Sequence, residues 1–334
     1  MINPVVRMIC SSISHMPFLS VWRESGVTQK HGFELHIDAT GIPNKDGVVY
    51  TNRDRAPKLL DGTFDFISGL HHETYIYRAQ GDKRFVYLAQ AQNDWDDRMV
   101  AWQEIKTPLD LEGKRVITTS SAPCVAGNMR HSLQVAGVDL SKVHFEAISD
   151  RDPMACHKAV MMVAEGEAAA AAIDLPFDLQ AEKRGLHRLE IPSLPVIHNA
   201  TICSNREWVS ANEETASAFL KSMIEAIHFF KTEKVRVCSI LEEHLVPLVG
   251  IEGHDEIEHL HAGWSALLSP KPYPHPLAVW NVYNLDVAHD PSVNFIGPFE
   301  IWDTSLLRDI DDSGFIDQLY GDARLANPAV NVAI

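Results

Sequence analysis

Leu109-Asp110-Leu111-Glu112-Gly113-Lys114-Arg115-Val116-Ile117 reads as a turn running straight into a strand. It opens the second of two similar halves. Behind it, residues 118–123 supply hydroxyls that cap a helix from about Cys124 to Ala136, which Gly137 ends. A strand over 143–147, a helix over 153–165 capped by Asp152, and an apolar buried strand over 168–173 follow. A helix then runs from Asp174 to Lys183, and 194–204 returns in extended form. The same alternation precedes the quoted stretch. Val5–Cys10 is a strand, and 17–25 is a helix with Phe18, Leu19, Val21 and Trp22 spaced for burial. Residues 32–38 alternate apolar and polar as a half-buried strand, Arg55–Leu60 is a helix, and 64–68 is a strand. A helix after His71 and His72 stops at Gly81, and 85–91 is a strand that leaves the first half. Further on, 212–228 is a strong amphipathic helix, 233–241 and 255–268 continue helical, and the Pro-rich 270–276 is a loop. A last helix is expected over 306–319, with a loose tail beyond Asn327. Strands alternating with helices through short connections mean parallel sheets covered by helices, and two such units make an α/β protein of two lobes.

The composition agrees. At roughly 150 residues per domain, 334 residues suggest two domains. The 29 Lys and Arg against 45 Asp and Glu leave a net charge of −16, which argues against nucleic acid and against an anionic membrane surface as partners. No apolar run approaches the roughly 18 residues of a membrane span; 168–173 is far too short. Cys10, Cys124, Cys156, Cys203 and Cys238 are scattered and form no C-x-x-C pair, a pattern of reduced thiols. Ahead of Val5 there is no basic stretch followed by an apolar one, so with Met1 as the natural start the expected location is cytoplasmic.

In open α/β sheets ligands lie beyond the carboxyl ends of the strands, where two lobes meet. Residues 11–15, 68–72, 118–123, 174–177 and 198–201 fall there. His71-His72-Glu73 is the most pointed group, since His moves protons near neutral pH. Neighbouring residues on a helix point about 100° apart, so one imidazole faces the cleft and the other faces solvent; in a loop ahead of the helix both could face inward. His15 either meets the ligand or bonds its own loop, and His198 lies in the return segment. A cluster of His15, His71, His72 and His198 with Asp174 would have suitable ligands for a divalent metal ion, the first three being the expected set. Thr118, Thr119, Ser120 and Ser121 at a helix start can hold a carboxylate, sulfonate or phosphate, or simply cap the helix. Ser14 and Ser68 flank strand ends, and Arg98 is a candidate bidentate carboxylate partner; Arg130, two turns into its helix, is read as solvent-facing. Asp174 contacts either a ligand or the hinge, and Trp302 is placed along the first lobe's wall. His254, His259 and His261 lack the H-E-x-x-H spacing and are read as a surface helix. Cys124 has no base partner visible in the sequence.

The order of pieces resembles a known family. The run 17–22 (Pro-Phe-Leu-Ser-Val-Trp), then Lys30-His31-Gly32-Phe33-Glu34-Leu35, is similar to the opening of nitrate/sulfonate/taurine-type periplasmic binding proteins. So are Leu60-Asp61-Gly62-Thr63-Phe64-Asp65-Phe66, the quoted 109–116 and the closing Phe315-Ile316-Asp317-Gln318-Leu319-Tyr320. The resemblance implies the type II periplasmic-binding fold, two α/β lobes with ligand in the cleft, residues 1–93 and 201–334 forming lobe 1 and 94–200 lobe 2. That superfamily holds exported receptors of ABC importers and two cytosolic enzyme branches: the NMT1/THI5-like hydroxymethylpyrimidine synthases of thiamine biosynthesis, and 4,5-dihydroxyphthalate-decarboxylase-like proteins. Against the fungal synthases' cysteine-rich run this chain has Val196-Ile197-His198-Asn199-Ala200-Thr201-Ile202-Cys203. Against the decarboxylases' Ser-Arg-Met-Phe-Arg-like phrase, Asp97-Arg98-Met99-Val100-Ala101 shares Arg-Met.

The leading expectation is a cytosolic lyase that decarboxylates a small hydroxylated aromatic or heteroaromatic acid. Residues 118–121 and Arg98 would anchor carboxylates, His71 or His72 would protonate the ring carbon, and Asp174 or a cation would polarise a ring hydroxyl. The alternatives are a receptor for sulfonate, nitrate, taurine-like or aromatic anions, and a thiamine-pyrimidine synthase. The expected partner is a small carboxylate or sulfonate, with a second copy of the chain left open.

Overall fold

In the computed structural model the first lobe is built from β1 (Val5–Cys10), α1 (Met16–Glu24), α2 (Val27–Lys30), β2 (Glu34–Ala39), α3 (Arg55–Leu60), β3 (Phe66–Ser68), α4 (Glu73–Ala79) and β4 (Phe85–Gln90). The chain then crosses into β5 (Arg98–Ala101), β6 (Arg115–Thr118), α5 (Asn128–Val135), β7 (His144–Ala147), α6 (Ala155–Ala164), β8 (Ala170–Ile173), α7 (Phe177–Lys183) and β9 (His187–Leu189). It returns through β10 (Thr201–Asn205) into α8 (Arg206–Ala211), α9 (Glu213–Thr232), α10 (Lys234–His244), α11 (Val246–Val249) and α12 (His254–Leu267). Helices α13 (Pro276–His289), α14 (Ser305–Asp312) and α15 (Phe315–Tyr320) close it. The structure describes residues 4–95, 97–149 and 152–321; the tail expected beyond Asn327 lies outside them.

Two five-stranded sheets result, in the orders β2-β1-β3-β10-β4 and β7-β6-β8-β5-β9. In each, the three strands on one side are parallel and the crossover strand runs against them: β10 is antiparallel to β3 and β4, and β5 to β8 and β9. The fold is therefore the α/β two-lobed one that the β-α alternation predicts. The long α9 lays its apolar face on the first sheet. Phe219 stacks flat on Phe66, centroids 3.7 Å apart, and Trp22 donates its indole N–H to Ser222 Oγ at 3.0 Å. Burial of each such ring contributes roughly 2–3 kcal/mol. Among the described residues no helix is long and apolar enough to cross a membrane.

Two expectations need correction and one helix was not foreseen. The segment after the Pro-rich loop is helix α13, whose apolar side chains run all round it and so present no amphipathic stripe to read. The expected 306–319 helix is two, because Gly314 adopts φ 77° and turns the chain between α14 and α15. The helix after residue 122 opens with a π-helical turn, Pro123–Gly127, before α5 begins.

Candidate functional site

The parallel strands β1, β3, β6 and β8 all end toward the space between the lobes. The loops after them enclose a cavity of about 320 Å³. The first lobe contributes Ser11–His15 and Leu70–Glu73, with Asn52 and Arg55; the second contributes Thr119, Ser120, Cys124 and Asp174. Ser149, Asp152, Cys156, His198, Asn199 and His289 add to the wall.

Both imidazoles of the His71–His72 pair face inward, so the reading of one cleft and one solvent histidine does not hold: they are 4% and 8% exposed, and both line the cavity. The cause is local. Gly69 at φ 114° and Leu70 at φ 63° swing the chain through a left-handed turn before α4 starts. The turn is over-determined. Leu70 N–H donates to Ser11 Oγ at 3.3 Å, while Leu70 carbonyl accepts from Tyr87 Oη at 2.5 Å and Thr74 Oγ1 at 3.1 Å. Two successive loop residues thus point to one side, which a helix would forbid.

His72 Nδ1 meets Asp286 Oδ1 at 2.6 Å, and both residues are buried. Burial opposes charge on the ring, but the carboxylate outweighs it and holds the imidazolium up to about 10. Burial also pushes the Asp286 carboxyl up, so each partner stays charged only through the other. The titratable groups around this pair are Cys124, Glu73 and His289. His15 is the opposite case. Its Nδ1 accepts from Ala200 N–H at 3.4 Å and lies 2.9 Å from Ser68 Oγ. A backbone N–H can only donate, so the proton of the neutral ring sits on Nε2. Burial, then His198 and Arg55, push His15 down to about 3. His71 stacks on His15 at 6.2 Å and is likewise driven well down by burial and by the neighbouring rings. Of these three rings, His72 is therefore an imidazolium and His15 and His71 are neutral imidazoles at neutral pH.

Arg55 was invisible as a site residue in the sequence, where it opens an ordinary short helix. It is buried, its Nη1 donates to Ser11 Oγ and its Nη2 to Glu73 Oε1 at 2.6 Å. It takes the cavity position expected of Arg98, which starts β5 outside the wall and lies near His259. Ser14, His15, His71, His72, Thr119, Ser120, Asp174 and His198 line the cavity as expected. Ser68 and Thr118 do not. They are the last residues of their strands and point into the layer beneath, Ser68 to His15 Nδ1 and Thr118 Oγ1 to the Ser120 carbonyl at 3.1 Å. Ser121 is exposed outside the wall. Trp302 packs edge-on against Tyr87 at 4.8 Å in the apolar interior, not on the ligand side. Arg130 is exposed, as read, and caps the Phe145 ring at 4.9 Å.

The metal expectation at His15, His71 and His72 is not supported. Their ring centroids stand 6.2 and 6.4 Å apart in sequence order. One nitrogen of His15 is committed to Ser68 and one of His72 to Asp286. Among the described residues no group of three His, Cys, Asp or Glu is placed to hold a metal ion. His254, His259 and His261 pair instead with Glu242, Asp178 and the Phe230 carbonyl.

Residues 98–233, from β5 into α9, match the family model described as NMT1/THI5 like. No curated protein matches the sequence significantly. Solved structures are similar across nearly the whole chain. The periplasmic aliphatic sulphonate binding protein SsuA from Escherichia coli is 14% identical, TM-score 0.61, over 90% of this chain and 91% of that one. A zinc-bound ligand binding component of an ABC-type import system from Staphylococcus aureus is 13% identical, TM-score 0.63, over 92% and 99%. A mutant of DSZB in complex with biphenyl-2-sulfinic acid is 12% identical, TM-score 0.66, over 93% and 100%. At these identities the likeness is one of fold.

Proposed function

From the premise that this chain has the type II periplasmic-binding fold with an NMT1/THI5-like central segment, we propose that it binds a small organic acid, a sulfonate or an aromatic carboxylate, in the cleft between its lobes. One observation carries the reading: two buried cations, His72 paired to Asp286 and Arg55 paired to Glu73, stand at one cavity whose wall also carries serine and threonine hydroxyls, Asn52, Asn199 and the neutral rings of His15 and His71. Cations with hydroxyl and amide donors around them suit an organic acid, and His15 Nε2–H adds a further donor. A cavity of about 320 Å³ suits a ligand at the small end of the usual range. The neighbours support the ligand class, since one is named for aliphatic sulphonates and another holds an aromatic sulfinate.

This reading favours a binding protein of the importer-receptor type over the lyase expected from the sequence. The test is a panel of alkylsulfonates, nitrate and hydroxybenzoates, read by melting temperature and calorimetry, with mass spectrometry of the recovered ligand. A ligand at about 100 times its Kd stabilises the folded state by about 2.7 kcal/mol. The expected result is binding of at least one acid, recovered unchanged, and loss of that binding in His72→Gln. A panel without effect on melting, or His72→Gln binding as well as wild type, overturns it. One observation favours the lyase as the second reading: neutral His71 beside the charged His72 forms a donor–acceptor pair. Carbon dioxide released in proportion to acid consumed would replace the first reading with the second. Cytoplasmic location belongs to the lyase reading, and fractionation of the native cells tests it: recovery from the periplasm would overturn that placement.

A further inference from the structure

We infer that Cys124 is a nucleophile of the cleft, activated by His72 with Asp286 as the positioning residue, and that it takes up the acyl group of a small ester. The inference does not depend on the binding reading above. Three elements that are remote in sequence make the arrangement. Cys124 sits half-buried on the π-helical turn and lines the cavity. His72 ends the left-handed loop before α4, and its Nδ1 is taken by Asp286 of α13. Helix α13 packs against both α4 and the π-helical turn, which sets that turn beside the His72–Asp286 pair. Cys124 and the His72 ring line the same cavity, and that ring's Nε2, nine-tenths buried, has no hydrogen-bond partner. Nucleophile, base and a carboxylate orienting the base are the parts of a thiol acyl-transfer site.

The other four cysteines are internal controls. Cys10, Cys156, Cys203 and Cys238 are buried, and burial pushes each thiol up, Cys10 and Cys203 to about 12. They are inert by environment.

The chemistry balances with water as the second reactant. The proton of the pair rests on His72 Nε2, so the sulfur attacks the ester carbonyl carbon as a thiolate beside the imidazolium, and the carbonyl π pair moves to oxygen. The carbonyl re-forms as the C–O bond breaks, and the Nε2 proton leaves with the alcohol. Nε2 then takes a proton from water, the hydroxide adds to the thioester carbon, and the C–S bond breaks. The sulfur departs as the thiolate beside the re-protonated His72, which restores the starting pair. One ester and one water become one acid and one alcohol. The groups facing the His72 ring and its partner are Asp286 and His289 on α13, Cys124 on the π-helical turn, Glu73 (paired to Arg55) and His71 on the α4 side.

The test alkylates ligand-free protein with iodoacetamide across pH 6–9, with peptide mapping. Cys124 is expected to be modified first and at least about 10-fold faster at pH 7 than glutathione. His72→Gln is expected to slow it at least about 10-fold, and Asp286→Asn to move the rise of rate with pH upward, since the imidazolium loses its counter-charge. Cys124 reacting no faster than glutathione overturns the inference, and this comparison needs only the wild-type chain. Folded His72→Gln and Asp286→Asn proteins that alkylate like wild type overturn it as well. With p-nitrophenyl acetate, an acetyl group on Cys124 that is missing in Cys124→Ser supports the acyl step, and no acetylated Cys124 refutes it.

Discussion

Exchanging Asp286 for Asn removes the counter-charge from a buried imidazolium while keeping an oxygen to accept from His72 Nδ1. The wild-type ring is held up to about 10, against 6.5 in the unfolded chain. Between those values the folded protein carries one proton more than the unfolded one, so stability falls by about 1.4 kcal/mol per pH unit. The contribution is complete below about pH 6.5, is lost as pH rises through about 10, and changes by about 3 kcal/mol between pH 7 and 9. In Asp286→Asn burial acts unopposed and drives His72 down, so the ring is neutral in the native state across that window. The substitution is therefore expected to cost about 3–5 kcal/mol at pH 7, as for other broken buried pairs. The cost should shrink as pH approaches 10. Urea midpoints followed by circular dichroism at pH 7, 8 and 9 measure this directly. Wild type and variant that lose stability in parallel over the three pH values would refute the pairing.

Three further outcomes are expected. In Gly69→Ala the new methyl would sit 1.7 Å from Ser11 Oγ at a backbone φ of +114°, so a loss of about 2–4 kcal/mol and weaker ligand binding are expected; an unchanged melting temperature would count against the described turn. Arg55→Lys replaces a fork that holds Ser11 and Glu73 together with a point charge, and about 10-fold weaker binding by calorimetry is expected; equal affinity would remove Arg55 from the site. His259 ties α12 to Asp178 of α7 across the lobes at 3.0 Å, and the carboxylate pushes the imidazole up. That tie is present in acid and lost as pH rises through the raised value; with the ring 40% exposed, His259→Gln should cost less than about 1 kcal/mol at pH 5.5 and nothing at pH 9.

The candidate site was legible wherever a residue's chain position alone put it at a strand's carboxyl end. Ser14, His15, His71, Thr119, Ser120, Asp174 and His198 come from that rule, and all line the cavity. The rule fails by one residue at Ser68 and Thr118, because the final strand residue points to the layer beneath rather than out of the edge. It says nothing of Arg55 or Asp286, which come to the site from helices. Asp286 was hidden twice over, since α13 has no amphipathic stripe and its carboxylate is meaningful only beside a histidine 214 positions away in the chain.

The two-lobed architecture follows from short-range periodicity: alternating strands and helices with Gly stops leave parallel sheets as the economical way to bury both faces. Those signals act over a few residues, so one chain carries them openly. Charge at the site is another matter. Whether His15, His71 and His72 are neutral or cationic depends on burial and on which distant group each ring meets, and only the folded arrangement of β1, α4, the π-helical turn and α13 decides it. Solvation and Coulomb interactions act through space, not along the sequence.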